Sequence, residues 1–448
     1  MNTPILDFLR SYAQSDIARF HMPGHKGRGV LGCESFDITE IAGADSLYEA
    51  DGIIAQSEKN ATALFGSGRT LYSAEGSSQC IRAMLYLARL TCPEQARPVI
   101  LAARNVHKAF LYAAAALDLE VSWLWPEGNT DSLCACPVTP AGLEAALSAM
   151  AVPPAAVYVT SPDYLGGMTD IAGLAAVCHS HGTLLLVDNA HGAYLRFLTP
   201  SRHPMDLGAD ACCDSAHKTL PALTGAAYLH IGKEAPALFF REARQAMALF
   251  GSTSPSYLIM ASLDRCNEYL ENYGPRLGDF CARLDTLRTQ LREKGWQVEE
   301  TDPLRITVAA PAGLTGRELA DALRAHHIEC EYADGEYVVF MLTPDNDPVE
   351  LERLHAAMGK NERRYTAREP LAPARSESVM SIRQALFSAG ETIPAGESLG
   401  RICRAPTVAC PPAIPIAVPG ERIGPEAVVL FARYGIETVD VVKSESNQ

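Results

Sequence analysis

Long hydrophobic runs are what this sequence most clearly lacks. Nowhere in its 448 residues does an uninterrupted apolar stretch approach the roughly 20 residues that a bilayer-spanning helix requires. No membrane span is expected. The opening stretch MNTPILDFLRSYAQSDIARF carries Asp7 and Asp16 and has no continuous apolar core, a pattern that does not read as a secretory signal peptide. Cysteine is present 13 times, yet no paired C-x-x-C occurs at zinc spacing, and the thiols are scattered, as in DACCDSAH and SLCACP. Reduced structural thiols in a cytoplasmic protein are the expectation, with no metal site. Positive charge is the minority sign: 38 Lys+Arg stand against 53 Asp+Glu, a net charge of -15. That balance argues against a nucleic-acid or anionic-membrane surface and favours cationic small molecules as ligands. No internal repeat and no low-complexity tract is found.

What is there reads as an ordinary globular chain, 48% hydrophobic and 20% charged, long enough for two or three domains. Apolar runs at 97–103, 155–162, 182–190 and 225–231 predict strands buried on both faces, and GADACCDSA predicts a further one. Between them, 77–91, 107–119, 139–150 and 174–182 carry helical patterns. Strand alternating with helix is the signature of an α/β domain with a mainly parallel sheet. Beyond about residue 246, two long amphipathic helices lead into a smaller α+β region and, past a charged connector at 359–370, into a C-terminal α+β region. The resulting division is 1–55 as an N-terminal segment, 56–245 as the large domain, 246–365 as the small domain and 366–448 as the C-terminal domain.

In mainly parallel sheets ligands sit beyond the carboxyl ends of the strands, and polar residues gather there. Asp188 closes the strand TLLLVDNAHG, where a buried carboxylate needs a cationic or hydrogen-bonding partner. Lys218 follows one further strand and is flanked by Ser215, His217 and Thr219. An amine beside a carboxylate suits Schiff-base chemistry on an aldehyde cofactor: the carboxylate keeps a pyridine nitrogen protonated, and the amine forms the imine. A third piece is YSAEGSSQC, in which Gly76, Ser77 and Ser78 could hold a phosphate at a helix N-terminus. His107, in RNVHKAF after a strand, is placed to lie against a cofactor ring. Taken singly, each residue is ordinary: a surface lysine, a capping aspartate, a serine turn, a loop histidine. Together they make a pyridoxal phosphate site.

The ordered motifs FHMPGHKGRG (20–29), RNVHKA (104–109), TSPDYLGGMTDI (160–171), DNAHGAYLRF (188–197), SAHKTLPALTGAAYLH (215–230) and CPPAIPIAVPGERI (410–423) resemble those of the Orn/Lys/Arg decarboxylase family. These are pyridoxal-phosphate enzymes of the aspartate-aminotransferase fold, fold type I. The resemblance implies a large domain with a mainly parallel central sheet, a smaller α+β domain and a C-terminal α+β domain. It implies that Lys218 forms the Schiff base, Asp188 pairs with the ring nitrogen, His107 stacks on the ring, and Ser77, Ser78, Ser215 and His217 hold the phosphate. His191 would lie near the ring hydroxyl or the substrate carboxylate, and Asp37, Glu40, Asp45 and Glu49 would attract a cationic substrate.

The chain departs from the family pattern in CPPA where YPPG is common, and in ALTG for ALTQ; its length resembles the short, biosynthetic members. The expected activity is decarboxylation of a basic L-amino acid, arginine ahead of lysine and ornithine, by a homodimer or higher homo-oligomer. Another reaction on the same cofactor, such as transamination, or a silent regulatory homologue stays open at this point.

Overall fold

Strand follows helix as the sequence pattern predicts, in a computed structural model that describes residues 1–443 apart from 95–96, 129, 367, 369, 372–373 and 409–412. The elements are α1 (Pro4–Gln14), α2 (Ile53–Phe65), β1 (Arg69–Ser73), α3 (Ser77–Leu90), β2 (Val99–Ala103), α4 (Lys108–Ala116), β3 (Glu120–Leu124), α5 (Pro140–Ser148), β4 (Ala156–Thr160), α6 (Ile171–Ser180), β5 (Leu184–Asp188), β6 (Ala211–Asp214), the single turn α7 (Ala216–Thr219) and β7 (Ala227–Ile231). There follow α8 (Ala237–Leu249), α9 (Tyr257–Leu270), α10 (Tyr273–Glu293), β8 (Arg305–Ala309), α11 (Gly316–Arg324), β9 (Tyr332–Ala333), β10 (Tyr337–Met341) and α12 (Pro348–Ala357). The last are α13 (Ile382–Phe387), β11 (Gly390–Pro394), β12 (Thr407–Val408), β13 (Pro415–Ala417), α14 (Pro425–Arg433) and β14 (Thr438–Val442). The fold class is α/β with a large, mainly parallel sheet. Among the described residues no helix is long and apolar enough to cross a membrane, and every described cysteine is a free thiol.

The chain divides into two compact units, 1–91 with 171–278 and 92–170 with 279–448. In the first unit the strand order is β1-β7-β6-β5. β5 and β6 run parallel, in register Asp188 opposite Cys213, and β7 runs against both its neighbours. Every residue of β6 and β7 is buried, so these strands are apolar almost throughout. Helix α1 has no side-chain cap of its own; Asp264 of α9 accepts the N–H groups of Ile5 and Leu6 at 2.9 and 3.0 Å instead. Such a borrowed cap satisfies donors that a helix start otherwise leaves to water.

The second unit holds β4-β2-β3, all parallel, with α4 and α5. It also holds the antiparallel sheet β8-β10-β9 and the pairs β11-β14 and β12-β13. Here the TSPDYLGGMTDI motif closes a tight turn, in which Asp163 Oδ1 accepts the N–H groups of Leu165 and Gly167 at 2.9 and 2.8 Å. Buried Arg104 runs its guanidinium onto the carbonyls of Pro415 and Ile416, 2.9 and 3.0 Å away.

Cys410, Pro411 and Pro412 of the CPPA departure lie outside the described residues. Ala413 is described, and its φ is +60°. That is the left-handed region, where a Cβ crowds the following carbonyl and glycine is at ease. The conformation explains why glycine is common at this position. Its carbonyl accepts the Lys108 N–H at 3.1 Å, which fixes the strained residue in place. Ala413→Gly is expected to stabilise the protein by about 0.5–1 kcal/mol, the relief of strain outweighing the added freedom of the unfolded chain. Thermal denaturation of the two proteins side by side checks it.

Candidate active site

The site is built in the first unit from two strand ends and a helix start. β5 ends at Asp188, which is 3% exposed, a low value for a carboxylate. Its Oδ1 accepts the Ala190 N–H at 3.1 Å and the Cys213 thiol at 3.6 Å, the latter from the neighbouring strand. Three residues on, His191 is also buried, and its Nε2 lies 2.7 Å from Lys218 Nζ. The amine that sequence spacing singles out is thus bonded to the loop that carries the carboxylate. Lys218 stands on α7, one helical turn that follows β6 directly, so the sheet places its backbone beside the end of β5.

The third part is the start of α3. Gly76, its N-cap, has φ +70° and offers no side-chain hydrogen bond to the helix. The first N–H groups of α3 therefore point to a place left open by the helix's own side chains, the arrangement that binds anions elsewhere. A Cβ added at Gly76 would meet nothing within 4 Å, so the space over the turn is clear. Ser215 Oγ, from the lysine segment, lies 2.9 Å from Ser77 Oγ at the first residue of α3. Ser78 follows within the same turn.

The segment's other end is tied to this turn as well, for the Gly76 N–H donates to the carbonyl of Gly225 at 2.7 Å. Gly225 has φ +96°, and a Cβ there would meet Ala74 O and Ile259 Cδ1 at 3.2 Å. The position where glutamine is common in the family takes, in this chain, a conformation suited to glycine.

His217 Nδ1 lies 3.0 Å from the carbonyl of Ala226, so Nδ1 carries the proton. In that tautomer Nε2 is an acceptor, and the ring can hold a phosphate oxygen only when doubly protonated. His107 lies in the second unit as the N-cap of α4, its Nδ1 accepting the Ala109 N–H at 3.2 Å. Of the four acidic candidates, Asp45 is taken up by backbone. Its carboxylate accepts the N–H groups of Ser46, Asp51, Gly52, Ile54 and Ala55, which caps α2 and leaves it a structural role. Asp37 pairs with His25 at 3.1 Å. Glu40 accepts from Thr39 and Glu49 from Ser46, and both are exposed. The acidic segment is anchored beside α3, where the carboxamide of Gln79 donates to Tyr48 Oη at 2.9 Å.

Two buried polar atoms adjoining the chemistry, Asn189 Oδ1 and Thr219 Oγ1, have no partner among the described residues. Buried polar atoms are usually satisfied, so these are what a bound polar ligand or water would engage. Sequence reasoning missed a buried group next to the site: His203 and His230, both bonded to Asp214, all three with no solvent exposure. Asp214 adjoins Ser215, but nothing in the spacing pairs it with histidines 11 and 16 positions away.

The arrangement can do specific chemistry. It offers a nucleophilic amine with a basic imidazole at its nitrogen, a buried carboxylate to stabilise a cation, and a helix start with hydroxyls for an anion.

Comparison with known proteins identifies the family. The family model described as Orn/Lys/Arg decarboxylase, major domain, matches residues 3–310. The uncharacterized protein YaaO of Bacillus subtilis (strain 168) is 30% identical over 469 residues, covering 97% of this chain and 94% of YaaO. An arginine decarboxylase of the same organism is 28% identical over 465 residues, covering 95% of this chain and 92% of that one. Among solved structures, the Francisella novicida lysine decarboxylase LdcF matches with a TM-score of 0.80 at 17% identity, over 98% of this chain and 81% of its own. The chain belongs to the Orn/Lys/Arg decarboxylase family and is an amino-acid decarboxylase.

Proposed function

We propose that the protein decarboxylates a basic L-amino acid at its α-carbon, arginine ahead of lysine or ornithine, with pyridoxal 5'-phosphate held at Lys218. The observation that carries the reading is the 2.7 Å contact between Lys218 Nζ and His191 Nε2, which puts an amine on the loop that carries Asp188. The residues fit the cofactor. The uncapped start of α3 with Ser77, Ser78 and Ser215 suits the phosphate, Asp188 the ring nitrogen, and Lys218 the aldehyde carbon. When bound, the cofactor supplies an electron-withdrawing ring that accepts the electron pair left by departing CO2.

The chain's own residues do the rest. His191 Nε2 takes the proton from Lys218 Nζ, since only the neutral amine is nucleophilic. Asp188 holds its negative charge in a buried place, where attraction to a cationic ring nitrogen is weakly screened. Asp188 and His191 are buried at the strand end, while Lys218 is half-buried and open to an arriving substrate. After CO2 leaves, Lys218 Nζ is the group in reach to return a proton to the substrate α-carbon, with His191 sharing it. Glu40 and Glu49 are the candidates for the substrate's distal cation, because a guanidinium is best matched by a carboxylate. The arginine decarboxylases among the relatives support arginine first. By resemblance alone, the reading extends to a cytoplasmic homodimer or higher homo-oligomer in polyamine-type metabolism.

CO2 release measured with added cofactor across arginine, lysine, ornithine and several neutral amino acids tests the proposal. Release is expected from the basic substrates and highest from arginine. Release from neutral substrates alone overturns the basic-substrate reading.

A further inference from the structure

Under the strand ends lies a buried polar group that the chemistry above does not use. Asp214 Oδ2 lies 2.9 Å from His203 Nε2 and 3.1 Å from His230 Nε2, while its Oδ1 accepts from Asn189 Nδ2 at 2.6 Å. All four side chains belong to residues with no solvent exposure.

Two histidines and a carboxylate whose ligand atoms lie within 4.8 Å of one another first raise the question of a metal ion. The hydrogen bonds answer it. His203 Nδ1 accepts the Met205 N–H at 3.3 Å, so its lone pair is used there and Nε2 carries the proton. A protonated Nε2 cannot bind a metal. His230 Nδ1 lies 2.8 Å from Thr70 Oγ1, which satisfies the second ring. Burial lowers the His230 imidazole, and the pull of Asp214 does not restore it. Burial acts to raise the Asp214 carboxyl, yet the two imidazoles beside it carry it below the ordinary carboxylate range. The group is therefore an ionised carboxylate with three donors from three places in the chain: the turn at Pro204–Asp206, strand β7 and the residue after Asp188.

We propose that Asp214 is a positioning residue of the active site, which locks the strand end bearing Asp188 to the strand end bearing Ser215, His217 and Lys218. Its immediate neighbours make the case. Asn189 follows the carboxylate assigned to the ring nitrogen, and Ser215 follows Asp214 itself. One buried anion thereby adds a side-chain tie to the backbone pairing of β5 with β6, at the end where the groups assigned to the cofactor stand. The proposal rests on the reading of Lys218 as the cofactor's lysine.

The variants are Asp214→Ala, which leaves three buried donors unmet, and Asp214→Asn. The second keeps the connectivity: Asn189, whose Oδ1 has no partner among the described residues, turns its carboxamide over and accepts from the new one. Cofactor affinity is read by equilibrium dialysis, and ring placement by the visible circular dichroism per bound cofactor, both far below the unfolding temperature. Asp214→Ala is expected to raise the cofactor Kd about tenfold and to shrink the dichroism, with Asp214→Asn within about threefold of wild type. If Asp214→Ala does not accumulate folded, Asn189→Ala carries the test, with an expected rise of about fivefold and a reduced dichroism.

A lowered unfolding temperature with unchanged Kd and dichroism overturns the positioning role, as do equal losses in both Asp214 variants. One equivalent of zinc in the purified protein overturns it too. Wild-type protein that never gains a visible band with added cofactor overturns the Lys218 reading, and this proposal with it. A normal wild-type band confines any failure to Asp214.

Discussion

Replacing Lys218 by alanine is expected to cut CO2 release from arginine by about 10^4-fold or more, the scale seen when a covalent nucleophile is removed. No neighbour can substitute. His191 Nε2 lies within bonding distance of Lys218 Nζ, but an imidazole does not form a stable imine. The fold should survive, because Lys218 is only partly buried and stands on a single turn whose backbone is set by β6. A change in unfolding free energy of about 1 kcal/mol or less is expected for such a position. Steady-state release of labelled CO2 and thermal denaturation together check the pair of outcomes. Borohydride reduction adds a direct readout: it should attach the cofactor covalently to wild-type protein at Lys218, and the variant should take up no label there. Activity within tenfold of wild type would remove Lys218 from the mechanism.

Asp188→Asn should lower kcat by about 10^2- to 10^3-fold while changing KM little, since the lost charge matters most when negative charge develops on the ring. The substitution is chosen for shape. An asparagine Oδ1 can still accept the Ala190 N–H, which sits 3.1 Å from the present carboxylate, so the loop keeps its course. What disappears is the buried charge that, on the proposed reading, would hold a proton on the ring nitrogen. The kcat and KM values for arginine decide it, and a KM effect without a kcat effect would instead assign Asp188 to substrate binding.

Much of the large sheet was legible because its central strands are apolar on both faces: VILAA, AVYVT, LLLVD and AYLHI each read as a run of buried residues. Two strands were not. β1, RTLYS, is buried from its second residue, but it buries hydroxyls: Thr70 bonds His230 across the sheet, and Ser73 bonds Gln79 in the first turn of α3. A hydroxyl satisfied across a sheet looks, in sequence, like a hydroxyl facing water. β3, EVSWL, is mostly half-buried and lacks the apolar density that marks its neighbours. In the C-terminal region the run RSESVMSIRQALFS reads as helical, yet the helix spans only Ile382–Phe387 and starts at a capping box on Ser381. The proline-rich stretch after it, read as irregular, contains the short strand Pro415–Ala417.

The site divides in the same way. Lys218, Asp188 and the serine turn stand out because unusual residue types occur at strand ends, a local signal. The capping role of Asp45 and the bonding of Asp214 are tertiary facts. A carboxylate's partners depend on which loops fold over it, and His203 arrives from a turn that no periodicity foretells.

The bond from Gly76 to Gly225 closes what Asp214 begins. Residues 214–225 form a span between two piers, a buried anion at one and a backbone carbonyl at the mouth of α3 at the other. Both ends of the span are thus bonded to the rest of the first unit. On the proposed reading, Lys218 at its centre would hold the cofactor between turnovers from a backbone tied at both ends. On that reading one anchored stretch of backbone carries the amine from turnover to turnover.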